Sequence, residues 1–257
     1  MRSLWRLVRA EWRKVATTRV VWGLLAGFLA WTAINVFAQV LASGQSGAPS
    51  GVPALDSPQG LRNVFASSGS AAVFTLLLGV LSVTGEFRHG TAVGTFMASP
   101  RRGRVIAAKV LAVPVVALGF AVAGVALTVA LAWPLLAWKG VDFDLSTGQL
   151  PTVLAGCVAA VTLYAVLGVG FGALVRNQVA ALAVALVWML LAESLAVSFL
   201  PEIGRWLPGG AASAMTLGQP LRGGDLLSQG AGAALFAAYG VVLSVLGALT
   251  TVRRDIT

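Results

Sequence analysis

Six long apolar stretches, at residues 20–42, 64–84, 105–138, 152–175, 179–200 and 228–252, decide what this chain can become. A hydrocarbon core about 30 Å thick takes about 20 apolar residues to cross as a helix. Each stretch is long enough, and an all-α polytopic membrane protein with six transmembrane helices is expected. The third is longer than one crossing needs, so it tilts or begins in the cytoplasm.

The basic residues orient the spans. With the N-terminus inside, 14 of the 18 Lys and Arg fall on inner segments. They are the cluster from Arg2 to Arg19, then Arg88, Arg101, Arg102, Arg104 and Lys109, then Arg176, and finally Arg253 and Arg254. Only Arg62, Lys139, Arg205 and Arg222 fall outside. Lys and Arg concentrate on the cytoplasmic side, so both termini are placed inside. The net charge of +9 therefore reflects topology and not a nucleic-acid partner.

With 58% hydrophobic and 11% charged residues, one membrane domain over 1–257 accounts for the chain. It divides into an interfacial arm (1–19), a cytoplasmic loop (85–104) and an outer loop (201–227). Both loops are too short to fold alone. The single cysteine, Cys157, excludes internal disulfides and reads as a small packing residue. Val40-Leu41-Ala42 before Ser43 resembles a signal-peptide cleavage site. Residues 20–42 exceed the usual h-region of about 7–15 residues, so retention is expected. An Arg-, Ala-, Gly- and Val-rich composition suggests a GC-rich bacterial genome, hence a bacterial plasma membrane.

The arm contains no Gly or Pro over 2–19. At about 100° per residue, Leu4, Trp5, Val8, Trp12 and Val15 share one face, with Arg2, Arg6, Arg9 and Arg13 on an adjacent one. Such a helix lies in the membrane interface with its guanidinium groups among lipid phosphates. The plainer alternative is a topology signal alone.

The inner loop between spans two and three mixes charge with Phe87, Phe96 and Met97. A short helix over 86–98 is expected to present an aromatic or Met edge to a soluble partner. Ser99-Pro100 suits the start of the third helix, followed by the basic run Arg101, Arg102 and Arg104.

Glu86-x-x-x-Gly90-Thr91, then Pro100 with Arg101 or Arg104, then Lys109, resembles the membrane subunit of ATP-binding cassette exporters of the type-2 permease family. The arm, six spans, inner loop and long outer loop extend the resemblance over nearly the whole chain. It implies a dimer, homo- or heteromeric, in which Glu86, Phe87, Arg88, Gly90, Thr91, Phe96, Pro100 and Arg101 couple to a separate cytoplasmic ATP-binding subunit. This chain lacks a Gly-x-x-x-x-Gly-Lys-[Ser/Thr] loop. It is expected to be no enzyme and to hold no cofactor or metal itself, the ATP being bound by the partner.

Glu193 is the embedded acid of the spans, with Ser194 and Ser198 nearby. It reads either as a translocation-pathway residue or as a carboxylate snorkelling outward near Leu200. Asn35 and Gln39, one turn apart, either line the outer half of a pathway with it or bond across helices. Gly168 and Gly172 form a small-residue pair for close helix packing. The outer loop, punctuated by Pro201, Pro208, Gly209-Gly210 and Pro220, is either a re-entrant helical pair, which the resemblance favours, or a surface loop. The first outer connection, 43–57, reads as flexible.

An intramembrane serine protease needs a base, and the only histidine, His89, lies on the cytoplasmic loop. A secondary transporter is expected to show broken helices at matching points in two halves, for which only Pro114 and Pro134 stand as candidates. A non-transporting anchor or scaffold subunit is the remaining alternative to an export permease.

Overall fold

The computed structural model describes residues 2–43, 53–91, 102–145, 148–217 and 225–253, and no strand occurs among them. The arm is helix α1 (Arg2–Thr17). The hydroxyls of Thr17 and Thr18 close its last turn on the carbonyls of Arg13 (2.8 Å) and Lys14 (2.6 Å), and Thr18, in extended conformation, starts α2 (Arg19–Ala42). Two short helices follow, α3 (Pro58–Phe65) and α4 (Ser67–Ser70), before α5 (Val73–Arg88). The second apolar stretch was expected to run unbroken from residue 64. Instead, Val64 and Phe65 end α3 and are fully buried, and the regular helix is interrupted at Ala66 and again at residues 71–72. Ser57 caps α3 by accepting the Gly60 N–H at 3.1 Å, with Pro58 in the first turn.

Helix α6 (Arg102–Trp138) holds 37 residues, about 55 Å at 1.5 Å each, nearly twice the hydrocarbon thickness. Pro114 and Pro134 both lie inside this continuous helix, so neither marks a helix break. Helix α7 (Leu150–Val175) is the centre of the bundle and packs against α5, α6 and the last helix, α12 (Gln229–Arg253). Its glycines explain how. Gly168 sits against the backbone of α5, where a Cβ would meet Gly79 Cα at 3.0 Å, and Gly172 faces Val80 one turn on. Between them, Gly170 faces Ser244 of α12. A three-glycine run thus lets two neighbours approach one helix closely. The Thr75 hydroxyl adds a 2.7 Å bond to the Val161 carbonyl across the α5–α7 contact.

The stretch expected as span five is interrupted. It consists of α8 (Gln178–Val187), a π turn (Trp188–Ala192) and α9 (Glu193–Phe199). Five helical segments are long and apolar enough to cross a membrane: Arg19–Ala42, Ser67–Arg88, Gly103–Trp138, Leu150–Val175 and Gln229–Thr250. Large apolar side chains such as Leu118, Val122, Leu190 and Val241 remain exposed on the outside of the bundle, as lipid contact requires. The chain is a multi-pass helical membrane protein.

The connection 201–227, expected as the outer loop, holds two short helices among its described residues, α10 (Pro201–Gly204) and α11 (Pro208–Met215). Helix α11 buries Gly210, Ala211, Ala214 and Met215 and packs on α12 and α7. Two side chains of α12 tether the pair. Gln229 donates to the Met215 carbonyl at 2.7 Å, and Tyr239 donates to the Trp206 carbonyl at 2.9 Å.

Candidate functional site: an ionic joint and a buried carboxylate

The arm carries a wheel with a twist. The apolar face was expected to lie in the membrane interface, but Val8 and Val15 are buried within the protein, and Val8 packs on Ala108 and Ala112 of α6, with Leu4 and Leu7 beside them. Trp5, however, is 73% exposed, and Trp12 is also exposed. Both tryptophans lie at the edge of the apolar stripe, next to the exposed Arg6, Arg9 and Arg13. The position that completes the buried stripe is an acid. Glu11, three residues after Val8 and four before Val15, is only 3% exposed.

Glu11 meets Lys109, one of the resemblance residues, which is equally buried at 3%. Lys109 Nζ lies 2.5 Å from Glu11 Oε2 and 3.0 Å from Glu86 Oε1, and it donates to the Ser82 carbonyl at 2.9 Å. Lys14 Nζ lies 2.9 Å from Glu11 Oε1 and 2.9 Å from Glu86 Oε1. Two carboxylates and two ammonium groups thus form a charge-balanced quartet joining α1, α5 and α6. Burial alone raises the Glu11 carboxyl, but the ammonium groups of Lys109 and Lys14 outweigh it and hold Glu11 below the usual carboxylate range. Partial burial lowers Lys14, but Glu11 and Glu86 outweigh it and raise the amine. Buried charges are tolerated when they are paired and hydrogen-bonded, and every member here is.

The inner loop begins beyond this joint. A helix over 86–98 was expected, but Glu86, Phe87 and Arg88 are the last turn of α5, which the His89 and Gly90 N–H groups close on the carbonyls of Gly85 and Phe87. Glu86 therefore points into the quartet, its side chain 14% exposed, whereas Arg88, His89, Gly90 and Thr91 are exposed at the tip. Phe87 is half-buried under the guanidinium of Arg176, 5.9 Å from its ring centre. Arg176 itself turns the chain between α7 and α8 in left-handed conformation (φ 57°). Phe96, Met97, Pro100 and Arg101 lie outside the described residues.

The expected pathway residues are not brought together. Asn35 donates to the Trp31 carbonyl of its own helix at 2.9 Å. Gln39 uses its backbone carbonyl to receive the Ser43 N–H and hydroxyl. Their helix packs mainly on α3 to α6, while α9, which carries Glu193, packs mainly on α10 and the π turn. Glu193 is 6% exposed and does not snorkel. Its carboxylate accepts the backbone N–H of Gly209 in the first turn of α11, an N-terminus that has no side-chain cap from Leu207. An acid at that position satisfies an orphan donor and complements the helix dipole.

Glu11 and Lys14 were not among the sequence-derived candidates. The available signal was an acid on the buried side of a basic amphipathic helix, a position that needs a cation opposite it. No protein-family model and no curated protein matches this chain.

Proposed function

We propose that this chain is the membrane subunit of an export permease of the type-2 ATP-binding cassette kind, driven by ATP hydrolysed on a separate cytoplasmic subunit and paired with a second permease copy. In this reading it sits in a bacterial plasma membrane with both termini inside, and the interrupted stretch 178–199 is its fifth crossing of six. The observation that carries the reading is the ionic joint. A subunit powered from outside must pass a displacement of its cytoplasmic loop into its spans. The quartet ties the root of that loop to the arm and to the start of α6, so a push on Arg88 and His89 moves three helices together.

The same geometry refines the expected docking surface. Glu86 serves the joint, and the exposed Arg88, His89 and Thr91 are left to meet the partner. The test is co-purification with an ATP-binding subunit, sought first among the products of neighbouring reading frames. Arg88→Glu with His89→Glu is expected to release the partner while the permease stays inserted. Undiminished co-purification removes the docking assignment, and the absence of any associated ATPase removes the export reading in favour of an anchor or secondary transporter.

A further inference from the structure

A cavity of about 390 Å³ lies between α5, α7, α8, α11 and α12. Its walls are apolar, among them Leu76, Phe171, Ala185 and Leu243, together with Trp188 and Pro208. Its side toward α8 carries Val184 and Trp188, both half-exposed on the outside of the bundle, so the cavity is open laterally. The π turn links this space to Glu193. In an unbroken α-helix, residue 193 would lie about 80° round from residue 185, eight residues at about 100° each. The π turn spends one more residue on its turn, and the Glu193 N–H bonds the Trp188 carbonyl. Glu193 is thereby carried round to the inner side on which Ala185 and Trp188 line the cavity. Single π turns of this kind recur at functional sites.

On the other wall, Pro208 is the neighbour of Gly209, whose N–H the carboxylate accepts. That N–H occupies one of about four lone-pair positions on a carboxylate. No cationic side chain pairs with Glu193 among the described residues, and the outer cation nearest in sequence, Arg205, is 3.0 Å from Glu202 instead. A Cβ on Gly209 would stand 2.9 Å from the Glu193 carboxyl carbon, so a glycine is what lets the acid seat here. Glu193 is not itself a lining residue; its carboxylate is held one residue from the wall, on the N–H next to Pro208. An acid with no cationic partner among the described residues, so close to an open apolar cavity, is complementary to a cation with an apolar body.

We propose that this cavity is a binding site for lipophilic organic cations, the apolar body lying between Phe171, Ala185 and Leu243 and the charge resting on Glu193. The binding claim concerns this chain alone; that the cation is the cargo rests on the export reading.

The test uses the purified full chain in lipid nanodiscs, with tetraphenylphosphonium as probe and the shape-matched anion tetraphenylborate as control. Binding is measured by equilibrium dialysis with empty nanodiscs subtracted. Saturable binding of the cation, undisplaced by the anion, is expected. Glu193→Gln keeps an acceptor for the Gly209 N–H and is expected to weaken binding by about tenfold or more. Val184→Trp, at the lateral opening, is expected to block it while leaving the fold intact. Cation binding unchanged in either variant, or equal binding of cation and anion to the unaltered chain, overturns the site. A chain that binds the cation but associates with no ATPase keeps the site and loses the export reading. An ATPase-driven chain that fails to bind it does the reverse.

Discussion

Replacing Lys109 with methionine is the sharpest perturbation of the ionic joint. The ammonium makes three contacts, to Glu11 at 2.5 Å, Glu86 at 3.0 Å and the Ser82 carbonyl at 2.9 Å. Its loss leaves Glu11, 3% exposed, facing only Lys14, whose side chain is half in solvent. Removing one partner of a buried ion pair costs about 3–5 kcal/mol, because the stranded charge keeps its desolvation penalty. At about 1.4 kcal/mol per decade, arm undocking should become at least about 100-fold more frequent. The assay is maleimide labelling of Val8→Cys in membranes, with Cys157 replaced by alanine. Val8 is buried under the docked arm, so its labelling rate reports the undocked fraction. The double variant Glu11→Met with Lys109→Met retains the 2.9 Å Lys14–Glu86 pair and strands no carboxylate. It should label within about fivefold of the parent, since a buried pair and its apolar replacement differ little. A parental rate in Lys109→Met, or a double variant as open as the single, refutes the claim that these charges hold the arm.

Acid should release the arm on its own. Glu11 has its folded pKa lowered from 4.5, so its contribution is present above pH 4.5 and is lost as pH falls through the lowered value. Lys14 is raised from 10.5, so its share fails only as pH climbs beyond that. Hydrogen exchange of the α1 amides, corrected for intrinsic rate, should accelerate only below about pH 4.5 and stay level between pH 6 and 9. Gly209→Ala places a methyl against the Glu193 carboxyl and should cost about 1–3 kcal/mol, read as a lowered Tm; an unchanged Tm argues against the cap. Gly168→Val should separate α5 from α7 and prevent folding or lower Tm more than Gly209→Ala does, because its obstacle is backbone. Cysteines replacing Lys139 and Glu202 should label from outside and those replacing His89 and Asn177 only from inside; an outside signal at His89 overturns the topology.

Much of the architecture was legible in the residues because membrane burial imposes a length. Five of the six apolar stretches form long helices, and the arm reads as a helix from its spacing alone. The close-packing role of Gly168 and Gly172 was legible too, since only the lack of a side chain permits that approach. What hydropathy cannot express is how a crossing is built. Residues 179–200 have uniform apolar character, yet a π turn divides them, because the hydrogen-bond register of a helix depends on what its faces must reach. Of the helix expected over 86–98, residues 92–98 lie outside the described residues, and Glu86 instead ends α5, where it has a partner 72 residues before it, in Lys14, and one in α6, in Lys109.

The sequence by itself determined a helical, multi-pass chain with a basic amphipathic arm, since hydrophobic length and local periodicity are one-dimensional properties. Only the tertiary structure decided where the charged side chains go. Glu11, Glu86, Lys14 and Lys109 are scattered over 99 positions, and Glu193 lies 16 residues from the amide it caps. Burial of a charge is stable only against a partner, and the partner is chosen by helix packing, which brings distant segments together at distances no local pattern encodes.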